Sequence, residues 1–183
     1  MAPIDAANRA GLTVAIVGAE CSGKTTLAEG LAQRFNAPSV PEYARDYLAG
    51  RTSYDAEDVL AIARGQHRAE AAMTHGTNLV FADTDLVVIK IWWSIRFGGS
   101  NAWVDATLDA QLAKGRARRY LLPTPDIAWV ADGLRENPND RPALHARYRQ
   151  LLDTLGAEYV EIAGSPQQRL DRAAAAVARW LKH

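Results

Sequence analysis

A single cysteine, Cys21, occurs among the 183 residues, so no intrachain disulfide can form. A reducing cytoplasm is the compartment that cysteine usage suggests. No apolar run approaches the roughly 18 residues that a membrane span requires. Residues 1–10 lack the apolar core of a secretory signal and read as a loose leader. Neither an internal repeat nor a low-complexity tract is present. Charge of one sign is not in excess either: 21 basic residues meet 21 acidic ones. A chain without net charge has no bulk attraction for nucleic acid or an anionic membrane, so neither is expected as a partner. What remains is an ordinary globular composition, 48% hydrophobic and 23% charged, over a length suited to one domain with a sizeable core.

The pattern of that chain alternates between strand and helix. Leu12–Val17, Ser39–Val40 and Leu79–Asp83 read as strands, and Ala157–Ile162 as the last one. Arg119–Leu122 and Asp126–Val130 are two strand-like candidates close together. Helices are predicted over Lys24–Phe35, from Pro41, over Asp55–His75, over Leu86–Phe97, over Trp103–Ala113, from Pro142 to about Leu155 behind an Asp140 cap, and over Gln167–Leu181. Leu86–Phe97 is apolar nearly all round, so Trp92 and Trp93 are assigned to the core. The alternation predicts an α/β fold: a parallel sheet with helices on both faces, forming a single domain over residues 11–183.

Between the first strand and first helix lies Gly18-Ala19-Glu20-Cys21-Ser22-Gly23-Lys24-Thr25, which fits G-x-x-x-x-G-K-[ST]. Glycines there let backbone N–H groups wrap a polyphosphate, and the helix N-terminus adds partial positive charge. Lys24 reaches the β- and γ-phosphates, and the Thr25 hydroxyl ligates magnesium. Thr26 follows in the first helical turn. ATP with Mg2+ is therefore the expected ligand pair.

Ligands of an open parallel sheet bind outside the carboxyl ends of its strands. Asp83 closes the third strand and Asp85 follows it. Glu42 stands just past the second strand, with Tyr43, Arg45, Asp46 and Tyr47 behind it. A kinase needs a carboxylate to orient the acceptor hydroxyl and an acidic group for the metal shell. Asp83 suits either task, and Glu42 is the other candidate base. Glu42 and Asp46 are four apart and crowd like charge on one helical face, which a cation would relieve. The Gly- and Asn-rich stretch Asp132–Arg141 carries Arg135 and Arg141 and reads as a lid, over about residues 124–141, that offsets charge on the transferring group. Lys114, Arg116, Arg118 and Arg119 read as a solvated basic face. Tyr43, Tyr47 and Trp129 are the candidates for stacking on a planar base.

Four blocks in order, GAECSGKTTL, PEYARDYL, FADTD and WVADGLRE, with Gly65-Gln66 in the long helix, make the chain resemble the ribosylnicotinamide kinase domain of NadR-type proteins. The resemblance implies a P-loop kinase fold with five parallel strands, Arg119–Leu122 being the fourth. It also implies transfer of the γ-phosphoryl of ATP to the 5′-hydroxyl of nicotinamide riboside, giving nicotinamide mononucleotide. It adds Gln66 to the substrate-binding candidates Glu42, Tyr43, Arg45, Asp46, Asp83, Asp85 and Trp129. A pyridinium substrate would be favoured by Glu42, Asp46 and Asp83 around one pocket. The DNA-binding and adenylyltransferase modules that NadR-type proteins carry find no room in this chain. Pro41 stands where some relatives have an aromatic. Two alternatives share the same residues: a kinase of another nucleoside or nucleotide, and a non-catalytic ATP- or GTP-binding regulatory module.

Overall fold

The computed structural model describes residues 11–113, 117–127 and 140–182. Five parallel strands form the sheet: β1 (Leu12–Ile16), β2 (Ser39–Val40), β3 (Leu79–Asp83), β4 (Ala117–Pro123) and β5 (Tyr159–Ile162), in the order β2-β3-β1-β4-β5. The helices are α1 (Lys24–Phe35), α2 (Tyr43–Leu48), α3 (Ala56–Thr74), α4 (Leu86–Arg96), α5 (Ala102–Ala113), α6 (Arg141–Thr154) and α7 (Pro166–Trp180). The fold is the α/β sheet the alternation predicted. Of the two strand-like candidates near residue 120, the first joins the sheet. Asp126 and Ile127 lie in the loop beyond it, and residues 128–130 fall outside the described residues.

The pleat sorts the core into two layers, because successive side chains of a strand face opposite ways. Val14, Ile16, Phe81 and Leu121 point toward α1 and α7, where Leu27, Leu31, Ala173 and Val177 cover them. Ala15, Val17, Val80, Ala82, Tyr120 and Leu122 point the other way, against residues of α2 through α6. Both faces being covered explains why the strands read as continuous apolar runs. From β1 the chain leaves toward β3 and β2, and from β4 toward β5. A crevice opens at this divergence, above the carboxyl ends of the strands.

Caps fix where the helices begin. Asp55 and Asp58 form a reciprocal capping box at α3, and Ser165 and Gln168 form another at α7. Two expectations are corrected here. Asp140 stands at the N-cap of α6 but its side chain makes no capping bond, and the helix begins at Arg141 rather than Pro142. Arg118 does not belong to a solvated face. Its side chain, 7% exposed, pairs with Glu70 of α3 and with Asp85, 3.0 Å away. A guanidinium reaching inward from β4 satisfies two interior carboxylates that would otherwise carry a heavy desolvation cost. Lys114 and Arg116 of the same basic cluster lie outside the described residues.

Candidate active site

The loop between β1 and α1 has the backbone its glycines were expected to allow. Gly18 and Gly23 take φ of +144° and +82°, and Cys21 takes +53°. At Gly18 an added Cβ would lie 3.3 Å from Leu122 and 3.4 Å from the Pro123 carbonyl, so only glycine lets the loop start this close to β4. Gly23 is the N-cap of α1. Ala19 and Ser22 are buried, whereas Thr26 faces solvent. Lys24 Nζ donates to the Ala19 carbonyl at 3.0 Å, across the loop's own mouth. The loop thus presents a helix N-terminus, a lysine and a hydroxyl together, the set that phosphate binding requires.

Asp83, 3% exposed, ends β3 directly against this loop and accepts a hydrogen bond from the Thr25 hydroxyl. Burial pushes its carboxyl above the usual range; Thr25 and Lys24 pull it back, Glu42 opposes them, and Arg45 draws it down slightly. Its Oδ1 is buried with no partner. A desolvated carboxylate with an open oxygen, beside a threonine hydroxyl, suits a hard divalent cation that keeps several waters and takes its remaining ligands from phosphates. Among the described residues no group of three or more His, Cys, Asp or Glu side chains is placed to hold a metal ion.

Beside the loop is a cavity of about 460 Å³. Gly18, Glu20, Cys21, Lys24 and Arg141 form its phosphate-loop end, with Glu42 and Arg45 next to them. The far end is Leu48, Tyr54, Val88, Ile91, Trp92, Ile95 and two arginines, Arg51 and Arg96. Asp83 lies just behind the wall, within Coulombic reach of Lys24, Glu42 and Arg45. Glu42 is the N-cap residue of α2, and Arg45 Nε donates to it at 2.8 Å. Tyr148 closes one side from α6; burial, with Glu42 close by, holds its phenol well above its normal range. Arg141 donates to the carbonyls of Pro125 and Ile127 at 2.8 and 2.7 Å, and to that of Cys21 at 3.4 Å. This arginine of the expected lid therefore ties the segment after β4 to the phosphate loop. Arg135 and Trp129 lie outside the described residues.

Several expected contacts are not made. Asp85 does not face the cavity: it is fully buried, caps α4 through Val87 N–H at 2.8 Å, and pairs with Arg118. Gln66 is also interior, bonded to backbone on both sides. Asp46 is exposed and does not line the cavity, so the trio Glu42, Asp46 and Asp83 does not surround one pocket. Tyr43 and Tyr47 are turned away as well. The Tyr43 ring lies over Gly65, where an added Cβ would come within 2.2 Å of it, and the Tyr47 hydroxyl bonds Asp58 at 2.9 Å. The aromatic pair at the cavity is instead Tyr54 and Trp92, edge to face at 5.1 Å, with Trp92 Nε1 donating to the Tyr54 hydroxyl at 3.0 Å. Trp92, packed against the core as expected, is also a cavity wall. Its sequence signal was ambiguous, because a helix lining an apolar pocket is as hydrophobic as one in the interior.

Arg169 went unnoticed in the sequence. From α7 its guanidinium donates to the carbonyls of Gly164 at 2.7 Å, Ser22 at 2.9 Å and Thr124 at 2.9 Å, and pairs with Asp126. One side chain therefore gathers the phosphate loop, the end of β4 and the β5–α7 turn.

The sheet order, the phosphate loop and the carboxylate facing it define a P-loop domain of nucleoside-kinase architecture. The chain belongs to the AAA domain family, whose model matches residues 13–169. It is 31% identical over 159 residues to the trifunctional NAD biosynthesis/regulator protein NadR of Salmonella typhimurium, covering 82% of this chain and 38% of that protein. The same figures hold for NadR of Escherichia coli. The chain thus spans well under half the length of these relatives. Among solved structures, a NadR protein in complex with NR superposes with a TM-score of 0.74 at 23% identity, covering 93% of this chain and 51% of that one. Deoxyadenosine kinase from M. mycoides superposes with a TM-score of 0.64 at 8% identity, covering 91% of this chain and 99% of that one. These superpositions establish the P-loop kinase fold.

Proposed function

We propose that the chain transfers the γ-phosphoryl group of Mg-ATP to the 5′-hydroxyl of nicotinamide riboside, giving nicotinamide mononucleotide. The observation that carries this reading is the pairing of two carboxylates with two faces of one site. Asp83 is hydrogen-bonded to Thr25 behind the phosphate loop, and Glu42 lines the cavity in front of it. The order of blocks shared with NadR-type proteins, and the identity to NadR over most of this chain, supply the acceptor.

In this reading each side chain has one task. The loop N–H groups and Lys24 hold the phosphates, Lys24 leaving the Ala19 carbonyl to do so. Thr25 and Asp83 would hold the magnesium ion, which would offset the negative charge of the phosphates. Glu42 accepts a hydrogen bond from the 5′-hydroxyl and takes its proton as the oxygen attacks phosphorus. Arg141 and, by its place in the segment, Arg135 offset charge on the transferring group. Tyr54 and Trp92 together form the aromatic wall against which the base stacks. A small nucleoside in the cytoplasm is the partner this reading requires; nucleic acid and membrane have no part in it. Among the described residues no helix is long and apolar enough to cross a membrane.

A pyridinium would meet negative charge at one end of the cavity only. With Asp46 outside the cavity, Glu20, Glu42 and Asp83 supply the negative charge, and all three lie at the phosphate end. Arg51 and Arg96 stand at the far end. Arg51 is paired with Asp58 at 3.1 Å, while Arg96 lies over the Tyr54 ring at 5.7 Å. That placement favours a second reading, in which the base carries a negative substituent such as a carboxylate.

Both readings are tested by incubating the protein with Mg-ATP and a panel of nucleosides, including nicotinamide riboside and its pyridine-3-carboxylate analogue, and following ADP. Turnover with nicotinamide riboside supports the proposal, and a preference for the carboxylate analogue supports the second reading. Nucleotide binding without acceptor-dependent turnover would leave a regulatory module. Replacing Trp92 by Ala should raise KM for the acceptor by about 10- to 100-fold, the usual worth of stacking a base on an aromatic ring. KM for ATP should not change; if it rose in parallel, Trp92 would not be an acceptor contact.

A further inference from the structure

Gln66 is 1% exposed in the middle of α3, so it touches no acceptor, yet both ends of its amide are hydrogen-bonded. Its Oε1 accepts from Tyr43 N–H at 2.8 Å, and its Nε2 donates to the Thr84 carbonyl at 3.2 Å. Tyr43 is the residue after Glu42, and Thr84 is the residue after Asp83. One side chain therefore spans the two turns that carry the two carboxylates of the site.

Both turns need such a restraint. Thr84 is a β-branched residue at φ +81°, a strained conformation that persists only where its surroundings impose it. Its N–H is fixed to the Ile16 carbonyl at 3.1 Å, so Gln66 supplies the restraint on its other side. The α2 turn has only six residues and no side-chain cap from Glu42. It is seated by Tyr43, whose ring occupies the space an alanine at 65 would fill. Gly65 lets the turn come close and Gln66 pins it.

We infer that Gln66 is a positioning residue: a buried strut, seated by Gly65, that fixes the separation of Glu42 from Asp83 and thereby aligns the acceptor hydroxyl with the phosphoryl group. This rests on the kinase reading above and extends it to a residue that never meets substrate. Misalignment on the scale of an ångström is enough to cost about 100-fold in transfer, whereas water, being small and mobile, attacks without needing that alignment. Gln66→Leu should therefore change how ATP turnover divides between acceptor and water.

The readout is the ratio of acceptor phosphorylation to acceptor-independent ATP hydrolysis, measured with whichever nucleoside the wild-type protein turns over. Gln66→Leu is expected to lower the ratio at least tenfold while KM for ATP stays within about twofold. Gly65→Ala, which keeps the amide but displaces Tyr43, should move it the same way. Val59→Ala, a buried change in the same helix, sets the stability control: it should lower the melting temperature and leave the ratio alone. An unchanged ratio in Gln66→Leu, or an equal fall in Val59→Ala, overturns the strut. Should Gln66→Leu fail to fold, Gly65→Ala decides the matter by the same ratio. If the wild-type protein turns over no acceptor, the kinase reading fails by itself. The strut is then judged from crystal structures of wild type and Gln66→Leu, or Gly65→Ala in its place, where an unaltered Glu42–Asp83 separation refutes it.

Discussion

Replacing Asp83 by Asn is expected to lower kcat by about 10³-fold, the scale of losing a metal-holding or charge-stabilising group, while making the unliganded protein more stable at neutral pH. The two effects have one cause. Burial raises the Asp83 pKa above the usual carboxylate value, so ionising it costs more in the folded chain than in the unfolded one. The fold is then least burdened below the usual carboxylate pKa, loses stability as pH rises from there through the raised value, and stays at that lower level above it. Asn removes the charge, keeps an oxygen for Thr25, and should raise the melting temperature by a few degrees at pH 7 but not near pH 3. Mg-ATP should then stabilise the wild type and fail to stabilise the variant to the same extent. Thermal unfolding against pH, with and without Mg-ATP, together with kcat, checks all of this. A variant less stable than wild type at pH 7 would show that Asp83 is an ordinary structural carboxylate.

The largest effect on stability belongs to Arg169. The side chain is 4% exposed, and Arg169→Met would take the donor from three carbonyls at once and unpair the half-exposed Asp126, which keeps Thr124 Oγ1 and Gly164 N–H. Leaving a buried acceptor without its donor costs about 1–3 kcal/mol, so three of them cost about 3–5 kcal/mol after local relaxation, a large fraction of the about 5–15 kcal/mol that holds a domain folded. At about 2–4 °C per kcal/mol for a chain of this size, the melting temperature should fall by about 10 °C. Because one of those carbonyls is Ser22 in the phosphate loop, KM for ATP should rise as well. Arg169→Lys should recover little, since an ammonium cannot reach four acceptors in the geometry of a planar fork. Differential scanning calorimetry and ATP titration measure both effects. A drop of only a degree or two, with ATP binding intact, would reduce Arg169 to a surface contact.

Much of this architecture was legible because it is written locally. The phosphate loop is eight consecutive residues whose types follow from the chemistry. β1 and β3 announce themselves by continuous apolar runs, and Asp83 by its place at the end of one. The residues misread are those whose meaning depends on distant partners. Arg118 looked solvated because its neighbours in sequence are basic, yet Glu70 and Asp85 meet it from 48 and 33 residues away. Arg169 is one of three arginines on an alanine-rich helix until the fold brings Ser22, 147 positions earlier, beneath it. Gln66 drew attention as a family residue and was placed against substrate, whereas its partners are two backbone groups that no periodicity reveals. Trp92 and Tyr54, 38 positions apart, become a pair only when α4 packs beside the loop before α3.

The most direct test is to follow the reaction by ³¹P NMR, with Mg-ATP and nicotinamide riboside as the only other components. A new phosphomonoester resonance, coupled to the 5′ protons of the ribose and growing in step with ADP, is the expected result. ADP accompanied only by inorganic phosphate, or no ATP consumed at all, would contradict the assignment of the cavity beside Glu42 and Asp83 to this acceptor.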